Sequence, residues 1–201
     1  SNNFSLITGA CGLLGEQHAI ALSEINSNLI LIDLNKFKGK KLADKLKKKF
    51  KNKVLYFNCD ITNTLQINLL KKNLKKKKIK ISVLINNAAI NPQPDQNKKT
   101  DDWEKSIEVS LTGSRNMVDA FSEDMIKMKF GNIINIGSDL SIIAPDQSIY
   151  PKRGKKPLSY SIIKHGIVGM TKYYASLYAS YGIRCNCLCP GGVYNKQNKK
   201  F

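Results

Sequence analysis

Short apolar runs of five or six residues alternate with longer segments of helical periodicity along the chain, and this alternation is the feature that most limits its fold. The runs do not alternate apolar with polar residues, so both faces of each predicted strand should be buried, as in parallel sheets covered by helices. Strands are predicted at Phe4–Thr8, Leu29–Asp33, Val54–Cys59, Ile81–Asn86, Asn132–Gly137 and Ile183–Leu188. Helices are predicted at Cys11–Ile25, Phe37–Phe50, Leu65–Lys77, Asp101–Lys129 and Leu158–Tyr181. This order predicts a doubly wound α/β fold whose ligands bind beyond the carboxyl ends of the strands.

The 201 residues are predicted to form one domain, because no repeat, proline-rich linker or low-complexity segment divides them. No apolar run reaches the roughly 18 residues that a membrane span needs. The first residues lack the charged-then-apolar pattern of a signal peptide. A cytoplasmic protein without a membrane partner is therefore expected.

The chain has 33 basic and 15 acidic residues, giving a net charge of +18, which raises the question of a nucleic-acid partner. Only Arg115, Arg153 and Arg184 are arginines, although arginine is the usual residue for bidentate contacts to phosphates and bases. The lysines fall mainly at 36–53 and 71–80, interleaved with leucines, as on the solvent face of amphipathic helices. We therefore predict no specific nucleic-acid partner, with polyanion binding as the alternative.

Five cysteines form an odd set without the spacing of a disulfide framework. Cys185, Cys187 and Cys189 alternate along the last predicted strand, which would place them on one face. A C-x-x-C pair is missing and the chain has two histidines, so no metal site is predicted. The preferred interpretation is buried thiols that act as small apolar side chains in a reducing compartment.

A glycine-rich turn follows the first predicted strand and opens the first predicted helix. Gly9, Gly12 and Gly15 would let the backbone turn tightly and approach a pyrophosphate, which a helix N-terminus attracts. Asp33 lies 18 residues beyond Gly15, where a carboxylate accepts hydrogen bonds from the adenosine ribose of NAD. The same carboxylate would repel the 2′-phosphate of NADP, so NAD is preferred and NADP is the second option. The alternative is that Asp33 only caps the next helix.

Tyr160 and Lys164 are four residues apart and would share one helical face. A phenol has a pKa of about 10 and is a poor acid or base at neutral pH, and a neighbouring ammonium group stabilises its phenolate. Ser138 ends the preceding predicted strand. The three side chains together form a pattern typical of proton transfer at a hydroxyl or carbonyl group.

The chain resembles the short-chain dehydrogenase/reductase family over essentially all of its length, with a Rossmann-like fold. The motifs that carry the resemblance are the glycine turn, Asp33, Cys59-Asp60, Asn86-Asn87-Ala88-Ala89, Asn135-Ile136-Gly137-Ser138, Tyr160 with Lys164, and Ile183-Arg184-Cys185-Asn186 followed by Pro190-Gly191.

This resemblance implies an NAD(P)-dependent oxidoreductase that transfers a hydride between a nicotinamide cofactor and a hydroxyl or carbonyl substrate. Ser138 would hold the substrate oxygen and Tyr160 would transfer its proton. Lys164 would stabilise the tyrosinate and hold the nicotinamide ribose. Ser110 stands where the family has an asparagine, and it would hold a water of the proton relay. The implied cofactor-binding residues are Gly9, Cys11, Gly12, Leu14, Gly15, Asp33, Asp60, Ile61, Asn87, Ala88, Tyr160, Lys164, Pro190, Gly191 and Val193.

The family also implies a homodimer or homotetramer that pairs the two longest helices across a twofold axis. In addition, it implies a seventh strand and a substrate-covering segment, so a C-terminal part of the fold is expected to be missing from the 201 residues.

Two departures from the family pattern leave alternatives open. The spacing Gly9, Gly12, Gly15, with Leu13 where compact members have a glycine, is that of sugar-nucleotide-modifying members, so an epimerase or dehydratase is one alternative. Ser110 in place of asparagine suggests the other, a dinucleotide-binding protein with impaired catalysis.

A long segment between Ser138 and Tyr160 sharpens the resemblance. It carries Ala144-Pro145-Asp146-Gln147 and Tyr150 beside the expected substrate mouth, and Asn195, Gln197 and Phe201 follow near the end of the chain. This combination resembles the flagellin-modification or nonulosonic-acid branch, which implies a sugar-derived substrate such as an activated amino sugar.

Overall fold

A computed structural model describes residues 2–90, 102–150 and 155–195. Its strands are β1 Asn3–Thr8, β2 Asn28–Asp33, β3 Val54–Asn58, β4 Lys80–Asn86, β5 Gly131–Ile136 and β6 Ile183–Leu188. Its α-helices are α1 Leu13–Glu24, α2 Lys36–Lys49, α3 Thr64–Lys76, α4 Trp103–Ile107, α5 Ser114–Met128 and α6 Leu158–Tyr178.

The six strands form one parallel sheet in the order β3-β2-β1-β4-β5-β6. The chain moves outward from β1 through β2 to β3 and then returns to place β4 on the other side of β1. The connections that leave the carboxyl ends of β1 and β4 therefore lead to helices on opposite faces of the sheet. In open α/β sheets the ligand crevice forms between two such connections. The prediction of a doubly wound, Rossmann-like α/β fold is confirmed.

The core lies on both faces of this sheet because successive strand residues point to opposite sides. Leu6 and Ile30 belong to the cluster that packs under α3, α5 and α6, whereas Ile7, Leu29 and Leu31 belong to the cluster under α1 and α2. All five side chains are completely buried. The uninterrupted apolar runs of the sequence are explained by this two-sided burial.

The lysine-rich helices show the amphipathic pattern that the sequence predicts. In α2 the buried residues are Gly39, Leu42, Ala43 and Leu46, and its lysines are exposed. Lysines also occupy the last turns of α2 and α3, where positive charge stabilises the helix dipole. Within the described residues, no helix combines the length and the apolar character needed to cross a membrane.

The predicted elements and the observed ones agree closely at their ends, with two informative differences. Helix α1 begins at Leu13 and not at Cys11, because Gly9 turns the chain with φ of +61° before the helix starts. The long helix predicted at 101–129 contains a π-helical segment, Glu108–Gly113, between α4 and α5. A Cβ at Gly113 would lie 2.7 Å from the Ile61 side chain, so this glycine lets the helix approach the loop after β3. Asp101 lies outside the described residues.

A buried polar link crosses the carboxyl half of the sheet. Asn86 on β4 donates its side-chain amide to the Asn135 Oδ1 on β5 at 2.9 Å. Asn135 in turn donates its amide to the Thr171 hydroxyl on α6 at 2.9 Å, and that hydroxyl donates to the Ile167 carbonyl at 2.7 Å. Buried amides are costly unless they are paired, so this chain of bonds fixes β4, β5 and α6 relative to one another.

Removing the centre of this link should destabilise the fold strongly. Asn135 is 1% exposed, and Asn135→Ala would leave a cavity and two unpaired polar groups, so a loss of about 2–4 kcal/mol is expected. Thr171→Val, which removes one bond at the edge of the link, should cost about 1 kcal/mol. Urea unfolding of both variants measures these changes in the free energy of unfolding. A smaller loss for Asn135→Ala than for Thr171→Val would show that the link contributes little.

Candidate active site

The glycine turn lies at the carboxyl end of β1, directly against the end of β4. A Cβ on Gly9 would lie 2.8 Å from the Cα of Ala88, and a Cβ on Gly15 would lie 2.2 Å from the Gly9 carbonyl oxygen. Both distances are too short for any larger residue without backbone movement. These glycines therefore let the turn, the first turn of α1 and the loop after β4 share one small space.

Hydrogen bonds to Thr8 and Asn87 hold this turn in place. The Thr8 hydroxyl accepts bonds from the backbone N–H groups of Asn87 and Ala88, both at 3.0 Å. The Asn87 side chain donates to the carbonyls of Thr8 and Gly9, also at 3.0 Å. Thr8 is not among the residues singled out from the sequence, and a hydroxyl at the last position of a strand before a glycine turn is the only signal there.

The N-terminus of α1 opens into the same crevice. Gly12 is the N-cap residue, and no side chain there caps the first N–H groups of the helix. Such N–H groups and the positive end of the helix dipole attract anions. The Leu14 side chain packs against the cluster under α1 and α2, and its backbone N–H is one of the N–H groups at this helix end. The turn and the helix end thus fit a pyrophosphate group.

Asp33 ends β2 beside the glycine turn. Its carboxylate accepts hydrogen bonds from the backbone N–H of Cys11 at 2.9 Å and of Asn35 at 2.8 Å. Asn35, and not Asp33, is the N-cap residue of α2, because its side chain accepts from the Lys38 N–H. The alternative role of Asp33 as a helix cap is therefore wrong. Burial and the nearby Asp33 carboxylate raise the pKa of the Cys11 thiol to about 12.

Two of the residues expected around the adenine have other visible contacts. Asp60 accepts bonds from the backbone N–H and hydroxyl of Thr62 at 2.9 and 2.8 Å, which shapes the turn before α3. Ile61 is 5% exposed and belongs to the core under α5. The Ile61 carbonyl accepts a bond from the Asn116 side chain at 3.1 Å. These contacts make the loop after β3 a fixed wall of the crevice.

The segment after β6 forms the opposite wall. The Pro190 carbonyl accepts a hydrogen bond from the Asp139 N–H at 3.0 Å. A Cβ placed on Gly191 would lie 3.9 Å from an Asp139 carboxylate oxygen. Val193 is 37% exposed at the rim. Residues 196–201, which include Gln197 and Phe201, lie outside the described residues.

Ser138 is buried just beyond β5 and caps a short helical turn, Asp139–Ser141, that packs against α6. Its hydroxyl donates to the Asp139 carboxylate at 2.7 Å and accepts from the Leu140 N–H at 3.2 Å. Asp139 is a second residue that the sequence reasoning missed. The structure thus places a carboxylate in direct contact with the serine hydroxyl of the candidate site.

Tyr160 and Lys164 lie in the first turns of α6, as the sequence predicts. The Lys164 Nζ is 5.6 Å from the centroid of the Tyr160 ring and donates to the Ile136 carbonyl at the end of β5, at 2.8 Å. Lys164 is 7% exposed. Burial lowers its pKa to about 8, the Lys156 ammonium acts in the same direction, and Cys187 opposes it.

A second lysine contacts the same tyrosine. The Lys156 Nζ lies 3.5 Å from the centroid of the Tyr160 ring, a distance typical of a strong cation–π contact. Gln147 anchors this stretch, because its side chain accepts from the Lys156 N–H at 3.0 Å and donates to the Lys156 carbonyl at 3.2 Å. Burial lowers the pKa of the Lys156 ammonium. A lysine four residues before a tyrosine is a weak signal, and the sequence did not single it out.

Ser110 lies in the π-helical segment and is 1% exposed. Its hydroxyl is buried and has no hydrogen-bond partner among the described residues. Its carbonyl accepts the Ser114 hydroxyl at 2.7 Å. π-Helical segments are frequent at functional sites because they move one residue out of helical register.

The three cysteines near the end of the chain do not behave as one group. Cys185 is buried, whereas Cys187 and Cys189 are half-buried, and their sulfur atoms lie 3.5 Å apart. The interpretation of all three as buried thiols is therefore wrong for the last two, because β6 ends at Leu188 and the chain emerges there. No group of three metal-ligating side chains is found in residues 2–90, 102–150 and 155–195.

The buried Lys164 ammonium predicts a pH dependence of folding stability. Its folded pKa of about 8 is below the ordinary 10.5, so the unfolded chain binds more protons between these values and stability rises with pH across that window. The wild type should therefore gain roughly 2–3 kcal/mol relative to Lys164→Met between about pH 7 and pH 10. Urea unfolding at each pH measures this difference, and a difference that stays constant would show that the ammonium is solvated.

Comparison with known proteins identifies the family. The chain matches the family described as short chain dehydrogenase over residues 3–201. It is 31% identical over 193 residues to the short chain dehydrogenase/reductase dpfgG of Gibberella zeae, and the aligned region covers 95% of this chain and 69% of that protein.

Solved structures agree with this match. A gluconate 5-dehydrogenase from Burkholderia cenocepacia, in complex with NADP and tartrate, has a TM-score of 0.82 and 28% identity over 98% of this chain and 74% of that chain. An NAD⁺-bound xylitol dehydrogenase has a TM-score of 0.83 and 26% identity over 96% and 72% of the two chains. The fold, the crevice at the β1–β4 divergence and these matches agree: the protein belongs to the short-chain dehydrogenase/reductase family of oxidoreductases.

Proposed function

We propose that this protein is an NAD(P)-dependent oxidoreductase that converts a hydroxyl group to a carbonyl group, or the reverse, with Tyr160 as the acid and base. The observation that carries the proposal is the contact of one phenol ring with two ammonium groups, those of Lys164 and Lys156, beside Ser138. The two ammonium groups place positive charge beside the one phenol that the proposal uses to exchange a proton with the substrate oxygen. The relatives' names are those of dehydrogenases, which favours net redox turnover over epimerisation.

The crevice fits a dinucleotide by its own geometry. Gly9 and Gly15 let the turn, the start of α1 and the loop after β4 pack closely together, and the uncapped N-terminus of α1 suits the pyrophosphate. Asp33 retains lone pairs for ribose hydroxyl groups in addition to its two backbone bonds. The other residues proposed to line the cofactor are Cys11, Gly12, Leu14, Asp60, Ile61, Asn87, Ala88, Pro190, Gly191 and Val193. The bound nicotinamide would supply or accept the hydride.

The catalytic residues proposed are Ser138, Tyr160, Lys164 and Ser110. Ser138 orients the substrate oxygen. The Asp139 carboxylate accepts a hydrogen bond from the Ser138 hydroxyl at 2.7 Å and so fixes the direction of that hydroxyl. Lys164 is held by the Ile136 carbonyl and presents its ammonium to Tyr160 and to the nicotinamide ribose. The buried hydroxyl of Ser110 offers a hydrogen bond to a relay water in place of the family asparagine.

The substrate is proposed to be a small, polyhydroxylated, sugar-derived molecule. This is supported by the names of the two structural relatives, which refer to gluconate and xylitol. The long segment before Tyr160 places Lys156 against the tyrosine ring and Gln147 against the Lys156 backbone, and so adds polar groups to the proposed substrate mouth. The narrower proposal, an activated amino sugar of the flagellin-modification or nonulosonic-acid type, is supported by the sequence motifs alone. The substrate screen described below includes amino sugars to test it. A cytoplasmic setting is part of this proposal.

Tyr160→Phe tests the proton-transfer role. It removes the phenol hydroxyl and keeps the ring, so turnover should fall by about 10²–10⁴-fold while NADH affinity changes little. Lys164→Met should lose both turnover and NADH affinity, and Ser110→Ala should have a milder effect on turnover. Screening polyols and amino sugars for NADH release gives the rates, and fluorescence titration gives the affinities. Stoichiometric NADH release also separates net oxidation from epimerisation.

Tyr173→Phe is the matched control, since Tyr173 lies on the same helix and is 63% exposed. It should keep full turnover. If Tyr160→Phe stays active while Ser110→Ala does not, the proton is carried by another residue.

Cofactor preference is a separate expectation. Asp33 would repel a 2′-phosphate, and a charged hydrogen bond contributes about 1.5–3 kcal/mol, so NAD should bind roughly tenfold or more tightly than NADP. Asp33→Asn, which keeps the shape and removes the charge, should reduce this ratio. Calorimetry with both cofactors measures it, and equal binding by the wild type would mean that neighbouring lysines offset the carboxylate.

A homodimer or homotetramer is proposed as the working assembly. Helix α6 exposes Ile162 at 43% and Leu177 at 45%, which is apolar surface that a second copy could cover. Light scattering of the full-length protein at micromolar concentration should give at least twice the chain mass. A monomeric mass would contradict the assembly.

A further inference from the structure

Cys187 and Cys189 form a close thiol pair at the end of β6. Their sulfur atoms lie 3.5 Å apart, and both side chains are half-buried. Cys185, two residues earlier, is buried and accepts a weak bond from the Asn135 amide at 3.7 Å. The close pair therefore consists of the two half-buried cysteines among these three.

The surroundings hold both sulfur atoms together. A Cβ on Gly137 would lie 2.7 Å from the Cys187 Sγ and 2.9 Å from the Cys189 Sγ, so the missing side chain makes room for both. The Cys187 thiol also contacts the Thr171 hydroxyl. Both thiols are close enough to the Lys164 ammonium to interact with it electrostatically. The pair thus lies directly behind the Ser138 and Lys164 side of the candidate active site.

We propose that Cys187 and Cys189 are a modification site, a dithiol that a hydroperoxide converts reversibly to an intramolecular disulfide. With hydrogen peroxide as the hydroperoxide, in the first step one thiol attacks a peroxide oxygen, the O–O bond breaks, and a sulfenic acid and one water form. In the second step the other thiol attacks that sulfur, the S–O bond breaks, and the disulfide and a second water form. Two electrons pass from the thiols to the peroxide, and both thiol protons end in the waters.

The position of each thiol relative to the end of β6 decides which one reacts first, since Cys187 lies within the strand and Cys189 lies past its end. Burial raises the pKa of Cys187 to about 11, and the Cys189 thiol beside it acts in the same direction. Thiolate is the reactive form, so little of Cys187 is available at neutral pH. Cys189, past the end of β6, is the thiol that meets the peroxide, and Cys187 completes the disulfide.

The cross-link changes the backbone locally. Residues two apart in an extended strand have Cα atoms about 6.6 Å apart, near the upper limit for a disulfide, so the segment must shorten. Leu188 lies between the two cysteines, and its carbonyl accepts the Gly137 N–H at 2.8 Å. Shortening pulls this carbonyl out of line and disturbs the adjoining bond between the Asp139 N–H and the Pro190 carbonyl, 3.0 Å long.

The wall that begins at Pro190 is a proposed part of the cofactor cleft, so oxidation should weaken cofactor binding. This effect rests on the proposed function, whereas formation of the cross-link does not. The loss of about one backbone hydrogen bond corresponds to a roughly fivefold to tenfold rise in the NADH dissociation constant.

Thiol mapping tests the cross-link without any substrate. The Cys185→Ala protein is treated with hydrogen peroxide, alkylated and digested with trypsin, which releases residues 185–196. The expected peptide has lost two hydrogens and carries no alkyl group, and dithiothreitol before alkylation restores two alkyl groups. Cys187→Ser and Cys189→Ser in the same background should not lose two hydrogens. Two alkylated thiols, a sulfinic acid or a disulfide between chains would each overturn the proposal.

NADH titration tests the consequence. The oxidised protein should bind NADH about fivefold to tenfold more weakly than the reduced protein, and dithiothreitol should restore the affinity. The Cys189→Ser protein should bind equally before and after peroxide. Unchanged affinity in a fully cross-linked sample would overturn the coupling to the cleft. Failure of the reduced protein to bind NADH would instead contradict the proposed function and leave the thiol mapping intact.

Discussion

The close contact between the ends of β1 and β4 is the constraint on which the candidate site depends. Gly9 meets the backbone of Ala88, and four hydrogen bonds through Thr8 and Asn87 lock the two loops together. This contact fixes where α1 begins and keeps its N-terminal N–H groups pointed into the crevice. It also brings the Cys11 N–H to Asp33, so the turn and the carboxylate at the end of β2 form one rigid unit.

The second half of the site depends on a buried charge. Lys164 is held by the Ile136 carbonyl at a position where burial lowers its pKa to about 8, so keeping it charged has a free-energy cost. The polar link through Asn135 and Thr171 lies just behind it and fixes β5 and α6 on either side. A desolvated ammonium held by rigid elements acts more strongly on a neighbouring phenol than a solvated one, because the local dielectric constant is lower.

Much of this arrangement is predictable from the sequence. Uninterrupted apolar runs predicted all six strands, because two-sided burial leaves a simple pattern, and glycine spacing located the turn. The π-helical segment around Ser110 was not predictable, since its residues keep an ordinary helical periodicity and the close approach of Gly113 to Ile61 joins parts of the chain that are distant in sequence. Asp139 and Lys156 were also missed, because both lie between β5 and α6, where no periodic pattern distinguishes a residue of the site from its neighbours.

The electrostatic balance around Tyr160 connects these observations. Two ammonium groups lie near its ring, and the Asp139 carboxylate accepts hydrogen bonds from the Ser138 hydroxyl and the Leu140 N–H. Asp139 nevertheless acts to raise the pKa of Lys156, so the carboxylate supports that positive charge. The serine, the carboxylate, the two lysines and the tyrosine therefore form a single electrostatic unit. Within this unit the Lys156 ammonium adds to the effect of burial in lowering the pKa of Lys164, because loss of one proton relieves the repulsion between the two lysines without moving either of them.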